Sequence, residues 1–112
     1  MGIKDNAKDQ FKDKLSGELN EIDVPEWGDK IYFKNAITGK KQGQIMSLYD
    51  KGKIVDSVCM SLIMRALDKE GNPIWRPSEL QELMREYDLD VISRVIEQIA
   101  DTEPTVDDAK KQ

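Results

Sequence analysis

The densest apolar stretch of the chain is residues 54–67, IVDSVCMSLIMRAL, where ten of fourteen positions are apolar and a buried element is required. At about 100° per residue, Val55, Val58, Cys59, Leu62, Ile63 and Ala66 share one broad face. Lys53, Ser57, Ser61 and Arg65 share the opposite one. The pattern predicts a helix at the centre of a domain, buried along its apolar face without being sealed on every side.

The cleanest amphipathic pattern comes later, where Leu89, Ile92, Val95, Ile96 and Ile99 line one face up to Ala100. Asp90, Arg94, Glu97, Gln98 and Asp101 stand opposite, which predicts a helix laid on the core. A shorter helix over 79–86 carries Leu80, Leu83, Met84 and Tyr87, and Ser78 with Gln81 makes a capping-box pattern at its start. Thr38 can cap a further helix to about Tyr49, with Ile45, Met46, Leu48 and Tyr49 as its apolar set and Gly43 as a weak point.

The connections are equally marked. VPEWG, at 24–28, is a break: Pro25 keeps the preceding residues extended, Gly28 permits a turn, and Trp27 is large enough to plug one end of the core. IYFK, at 31–34, has the composition of a short strand, whose partner lies elsewhere in the chain or in another copy. DKEGNPIW, at 68–75, turns at Gly71-Asn72-Pro73 and returns Ile74 and Trp75 to the core. The fold class expected is mainly α: a small single-domain fold of about four to five helices with a short strand or hairpin near residues 31–34.

The N-terminal part keeps a beat of four, with Ile3, Ala7, Phe11, Leu15 and Leu19 spaced evenly. A strict period of four drifts about 40° per step against the helix, so this stretch is a marginal helix that orders when docked. It reads either as an arm that grips a neighbouring copy or another partner, or as an end segment packed on its own domain. The stretch from 102 onward is polar and acidic and contains Pro104, the composition of a disordered tail. The expected division is an arm at 1–20, a helical domain at 21–101 and a tail at 102–112.

Charge and composition narrow the function classes. The 22 acidic and 17 basic residues give a net charge of −5, which repels phosphate backbones and anionic lipid, so neither nucleic acid nor membrane is an expected partner. No stretch approaches the roughly 18 apolar residues of a membrane span. The helices at 79–86 and 89–100 imitate a helix-turn-helix, but Asp90 would lead into the groove. The chain has no histidine and one cysteine, Cys59, which excludes a disulfide framework and reads as a core hydrophobe in a reducing compartment. Asp68 and Glu70 hint at a calcium loop whose ligand spacing is not met. Asp88 with Asp90, and Asp107 with Asp108, read as caps and solvated charge rather than an acid/base pair.

No catalytic, cofactor or metal residues are therefore expected. The candidate site is a partner surface. Met60 and Met64 project away from the main stripe of the central helix, where a methionine face that repacks suits exchangeable partners. The alternative is that the N-terminal arm, through Phe11 and Leu15, covers them in the monomer.

In order and at these spacings, VPEWG, IYFK, Thr38-Gly39 opening a helix, and DKEGNPIW after a long apolar helix resemble the tail assembly chaperones of long-tailed, lambdoid siphovirus-type bacteriophages. The resemblance runs over 24–100. Asp68, Gly71, Asn72, Trp75 and Glu79 match the family's acidic-glycine turn, aromatic residue and acidic helix start, whereas Arg76 and Pro77 depart from its acidic character. The four-residue beat lies outside the pattern. The resemblance implies a non-enzymatic protein that binds the tape measure protein, recruits major tail (tube) subunits and self-associates. It would act in the cytoplasm of the infected bacterial host and be absent from the mature virion. It also implies a longer frameshifted form, for which Ala109-Lys110-Lys111 permits a slippery codon run. Composition alone suits a different class equally well, a small acidic phage-encoded regulator or inhibitor of a host protein.

Overall fold

Five α-helices and one antiparallel hairpin make up the described residues, 2–15, 17–34 and 36–102, of this computed structural model. The helices are α1 (Ile3–Leu15), α2 (Gly39–Asp50), α3 (Ile54–Arg65), α4 (Leu80–Glu86) and α5 (Leu89–Thr102). The strands are β1 (Asn20–Val24) and β2 (Asp29–Phe33), and short 3-10 turns occupy Pro25–Trp27 and Pro77–Glu79. The mainly α fold with a short hairpin is the one expected. The segment beyond Thr102, including Ala109-Lys110-Lys111, lies outside the described residues.

The α3 helix is central, packed against α2, α4 and α5. Its Cys59, Leu62 and Ile63, with Ala66 just beyond its end, form the core with Leu83 of α4 and Ile92, Val95 and Ile99 of α5. The hairpin supplies the remaining wall by period-two alternation: Ile22, Val24, Ile31 and Phe33 point in, and Glu21, Asp23 and Lys30 point out. The partner of 31–34 is thus β1 of the same chain, with Ile22 opposite Ile31 and Asn20 opposite Phe33. Gly28, at φ +71°, closes the turn between the strands, and its N–H donates to the Pro25 carbonyl at 3.1 Å.

The far edge of β2 is covered by chain leaving α3. Tyr32 N–H donates to the Leu67 carbonyl at 3.0 Å, and Leu67 N–H donates back at 2.7 Å. This reciprocal rung explains why α3 ends at Arg65 and not at Leu67. Ala66 is already extended, at φ −74° and ψ 127°, so Leu67 leaves the helix to pair with the sheet. The turn behind it is fixed by Asp68, whose Oδ1 accepts from the Glu70 and Asn72 N–H groups, both at 2.9 Å. Gly71, at φ +88°, donates to the Asp68 carbonyl at 2.9 Å. The carboxylate that hinted at calcium caps its own loop.

The starts of three helices differ from the expected ones. Leu89 is exposed and Val91 is buried in its place, because Asp88 Oδ1 caps α5 through the Asp90 N–H at 2.9 Å and sets where the helix begins. Ser78 and Gln81 do not form the cap before α4. Glu79 instead accepts from the Arg76 N–H at 3.1 Å across the 3-10 turn that Pro77 opens. Val55 is exposed and Ser57 is buried, the reverse of the expected order, because α2 covers the Ser57 side.

Trp27 does close one end of the core, within a cluster. Trp27, Trp75 and Tyr87 meet edge to face at centroid separations of 5.8–6.1 Å, and Trp75 Nε1 donates to the Tyr87 hydroxyl at 3.4 Å. Beside them Arg94 holds Glu26 with two hydrogen bonds, one of 2.9 Å, tying the hairpin turn to α5. The Arg94 hydrogen bond keeps the Glu26 carboxyl below its ordinary range.

Asp68→Ala removes two hydrogen bonds to one charged acceptor and is expected to cost about 1–2 kcal/mol. The urea midpoint should fall with an unchanged slope, while Asp68→Asn should retain most of the wild-type value. Glu26, with its lowered pKa, stabilises the fold above the ordinary glutamate range, and this contribution is lost as pH falls through the folded-state value. Glu26→Gln should therefore lower the urea midpoint at neutral pH, and the gap from wild type should close in acid.

Candidate partner-binding site

The site is built where α2 doubles back on α3. Thr38 starts α2 by accepting the Lys41 N–H at 3.3 Å, and Gly52, at φ +78°, turns the chain between the two helices. Ser57 sets their approach, its Oγ donating to the Ile45 carbonyl of α2 at 3.3 Å, while Ser61 Oγ donates within α3 to the Ser57 carbonyl at 3.0 Å. A larger residue at Ser57 would hold the helices apart. Its buried hydroxyl is satisfied by that single cross-helix bond.

This approach leaves an open groove of about 430 Å3 along one flank. Lys40, Gly43, Gln44, Ser47 and Leu48 of α2 line it, together with Met60 and Met64 of α3 and Pro77. Gly43 contributes no side chain, and a Cβ there would meet nothing within 4 Å. Met60 is half-buried and Met64 is buried, so α2 provides much of the cover that sequence reasoning assigned to the arm.

The α1 helix has no buried residue, and Ile3 at its start is 82% exposed. Phe11 and Leu15 are half-buried. Leu15 lines a cavity of about 220 Å3 with Lys34, Ile37, Lys41, Met64, Arg65 and Leu67. Met64 lines both this cavity and the groove, so Leu15, Met64 and Met60 lie along one connected surface. Phe11 stands four residues back from Leu15, about one turn along α1.

Sequence reasoning missed the α2 half of the groove. Met46 and Tyr49, expected to face inward, are 54% and 61% exposed, and Ile45 alone of the apolar set is buried. The available signal was the pair Gly43 and Ser47, four apart and both small, which marks a shallow helix face.

Cys59 is completely buried, and burial first, then the nearby Asp56 charge, pushes its thiol up, so it stays protonated at neutral pH. Among the described residues no group of three histidine, cysteine, aspartate or glutamate side chains could hold a metal ion. The groove combines apolar Leu48, Met60, Met64 and Pro77 with polar Lys40, Gln44 and Ser47, a lining that suits one face of an amphipathic helix.

No protein-family model matches the sequence, and no curated protein matches it significantly. Among solved structures, the chain is similar to the tail assembly chaperone of bacteriophage HK97, with a TM-score of 0.69 at 19% identity. The superposition covers 93% of this chain and 99% of that one. At that identity the shared property is the fold: over 93% of its length this chain carries the fold of the HK97 tail assembly chaperone.

Proposed function

We propose that this protein is a tail assembly chaperone of a long-tailed bacteriophage. The observation that carries the reading is the fold match, which extends over 93% of the chain and is independent of the turn motif that first suggested the family. In this reading the client is the tape measure protein, whose long apolar helices need cover before the tail tube closes around them. The Met60 and Met64 groove takes one face of a client helix, and α1, through Phe11 and Leu15, adds a second contact. Thioether side chains repack at little cost, which suits a surface that meets successive turns of a long rod.

Many weak copies acting together supply the affinity, so self-association belongs to the same reading. Recruitment of tail tube subunits follows once the client is coated. The net charge of −5 favours a soluble coat. The protein acts in the host cytoplasm, carries out no catalysis and leaves before the virion matures. A longer frameshifted form would present the same groove.

Co-expression with the tape measure protein tests this directly: the client should remain in the soluble fraction with the chaperone and precipitate without it. Gly43→Arg is the sharpest variant, because it fills an empty stretch of groove while replacing a helix-interior glycine. It should abolish client solubilisation, and the fold should keep or gain stability by about 0.5–1 kcal/mol. Met60→Asp should weaken capture with a folded protein. Met64→Asp, by contrast, buries a charge and should unfold the domain. A client equally insoluble with and without the chain would refute the function.

A further inference from the structure

The hairpin has two edges, and the chain leaving α3 covers that of β2. Which backbone groups the β1 edge presents follows from the same rung. In an antiparallel pair the N–H and C=O of one residue point to one side, and successive residues alternate. Tyr32 directs both groups to Leu67, so Glu21, opposite Tyr32, stands at a pair that the two strands do not bond. The Lys30 N–H turns the same way as Tyr32, donating to the Asp29 carboxylate at 2.7 Å, and Asp23 stands opposite Lys30. The N–H and C=O groups of Glu21 and Asp23 therefore face outward from β1. Neither residue makes a backbone hydrogen bond outside the hairpin among the described residues, and both are exposed. They are the beginning of a ladder, about 7 Å along the strand, without a strand on it.

The side chains decide what can complete this ladder. Glu21 and Asp23 project on the outer face, where the Lys30 ammonium lies 3.0 Å from Glu21 and 3.8 Å from Asp23. One cation serves two carboxylates and approaches them from β2, and the Asp23 side chain remains 80% exposed. A strand added to β1 places two residues opposite Glu21 and Asp23 on this face, and a third between them, beside Ile22 on the inner face. Lysine or arginine at the first two meets the uncompensated charge. A β-branched apolar residue at the third extends the inner wall. A second copy of β1 is the wrong strand: its own edge presents Glu21 and Asp23, so antiparallel self-pairing sets carboxylate against carboxylate.

We propose that the open edge of β1 takes an extended segment of a different protein, paired antiparallel, in which lysine or arginine alternates with apolar residues. Main-chain hydrogen bonds to Glu21 and Asp23 hold the segment, and their carboxylates select it. The same two side chains act in both directions: they repel other copies of this chain, which protects the edge from aggregation, and they attract a basic strand. The pairing uses no side chain of the groove between α2 and α3, so it stands or falls independently of the function proposed for that groove.

The probe is the peptide acetyl-TKVKVKT-amide, titrated at low salt into the isotope-labelled full chain. The amide signals of Glu21 and Asp23 should move downfield, and their hydrogen exchange should slow by about five-fold or more at saturation. The same peptide methylated on the backbone nitrogen of each lysine keeps its charge and loses the donors that face β1, so it should leave that exchange unchanged. Glu21→Lys, Asp23→Lys and Lys30→Glu together invert the face while keeping its internal pairs. This variant should lose the probe and bind acetyl-TEVEVET-amide instead. Equal protection by the methylated peptide would reduce the contact to charge and overturn the proposal. Exchange at Glu21 and Asp23 that the probe does not slow would overturn it too. So would exchange that slows with protein concentration in the absence of peptide, which would put a second copy on the edge.

Discussion

The reciprocal backbone pairing of Tyr32 with Leu67 is the constraint on which the rest of the molecule depends. A two-stranded hairpin is marginal in water, and here one edge of it would also stand unpaired. The chain leaving α3 meets both needs, because its two hydrogen bonds cover that edge and anchor the hairpin to the end of the most buried helix. The same event sets the length of α3. A helix continued through Leu67 would bring the following turn back over the core, and neither the Asp68 loop nor the return of Trp75 toward Trp27 and Tyr87 could form. Backbone pairing, turn and aromatic cluster thus form one connected sequence of causes.

The second organising contact, between α2 and α3, works through what is small. Ser57 lets the helices meet at a hydroxyl, and Gly43 leaves the flank of that meeting hollow. A better-packed pair, with leucine at these positions, would gain buried area and lose the groove. The arrangement gives up some packing and keeps open a groove lined by half-buried Met60 and buried Met64.

Much of this could be read from the sequence, for identifiable reasons. The apolar faces of α3 and α5, the Thr38 cap, the break at 24–28 and the plug formed by Trp27 were legible, because each depends on local periodicity or on the φ preferences of proline and glycine. Asp68 was placed in the turn and calcium set aside, but which backbone N–H groups its carboxylate would meet depends on a turn closed by Gly71. The strand β1 was missed since NEIDV carries two apolar residues, too few to signal a strand until Ile22 is known to face Ile31. Ser57 was assigned to solvent because a wheel drawn on one helix cannot show that a second helix will cover its polar side. For the same reason the methionines were found and the α2 half of their groove was not. A groove belongs to two elements, and periodicity reports on one at a time.

The low identity to the HK97 chaperone, 19% over nearly the full length of both chains, is what these constraints would produce. The pairing of Tyr32 with Leu67 uses backbone groups alone and tolerates any side chains that suit a half-buried strand. The hairpin needs alternation and the helices need apolar faces of the right period, requirements that many sequences meet. Side-chain identity is demanded at few places, chiefly Asp68 with Gly71 in the turn and small residues where α2 approaches α3. A fold specified in this way can be carried by sequences with little in common, so that the likeness is visible only in three dimensions.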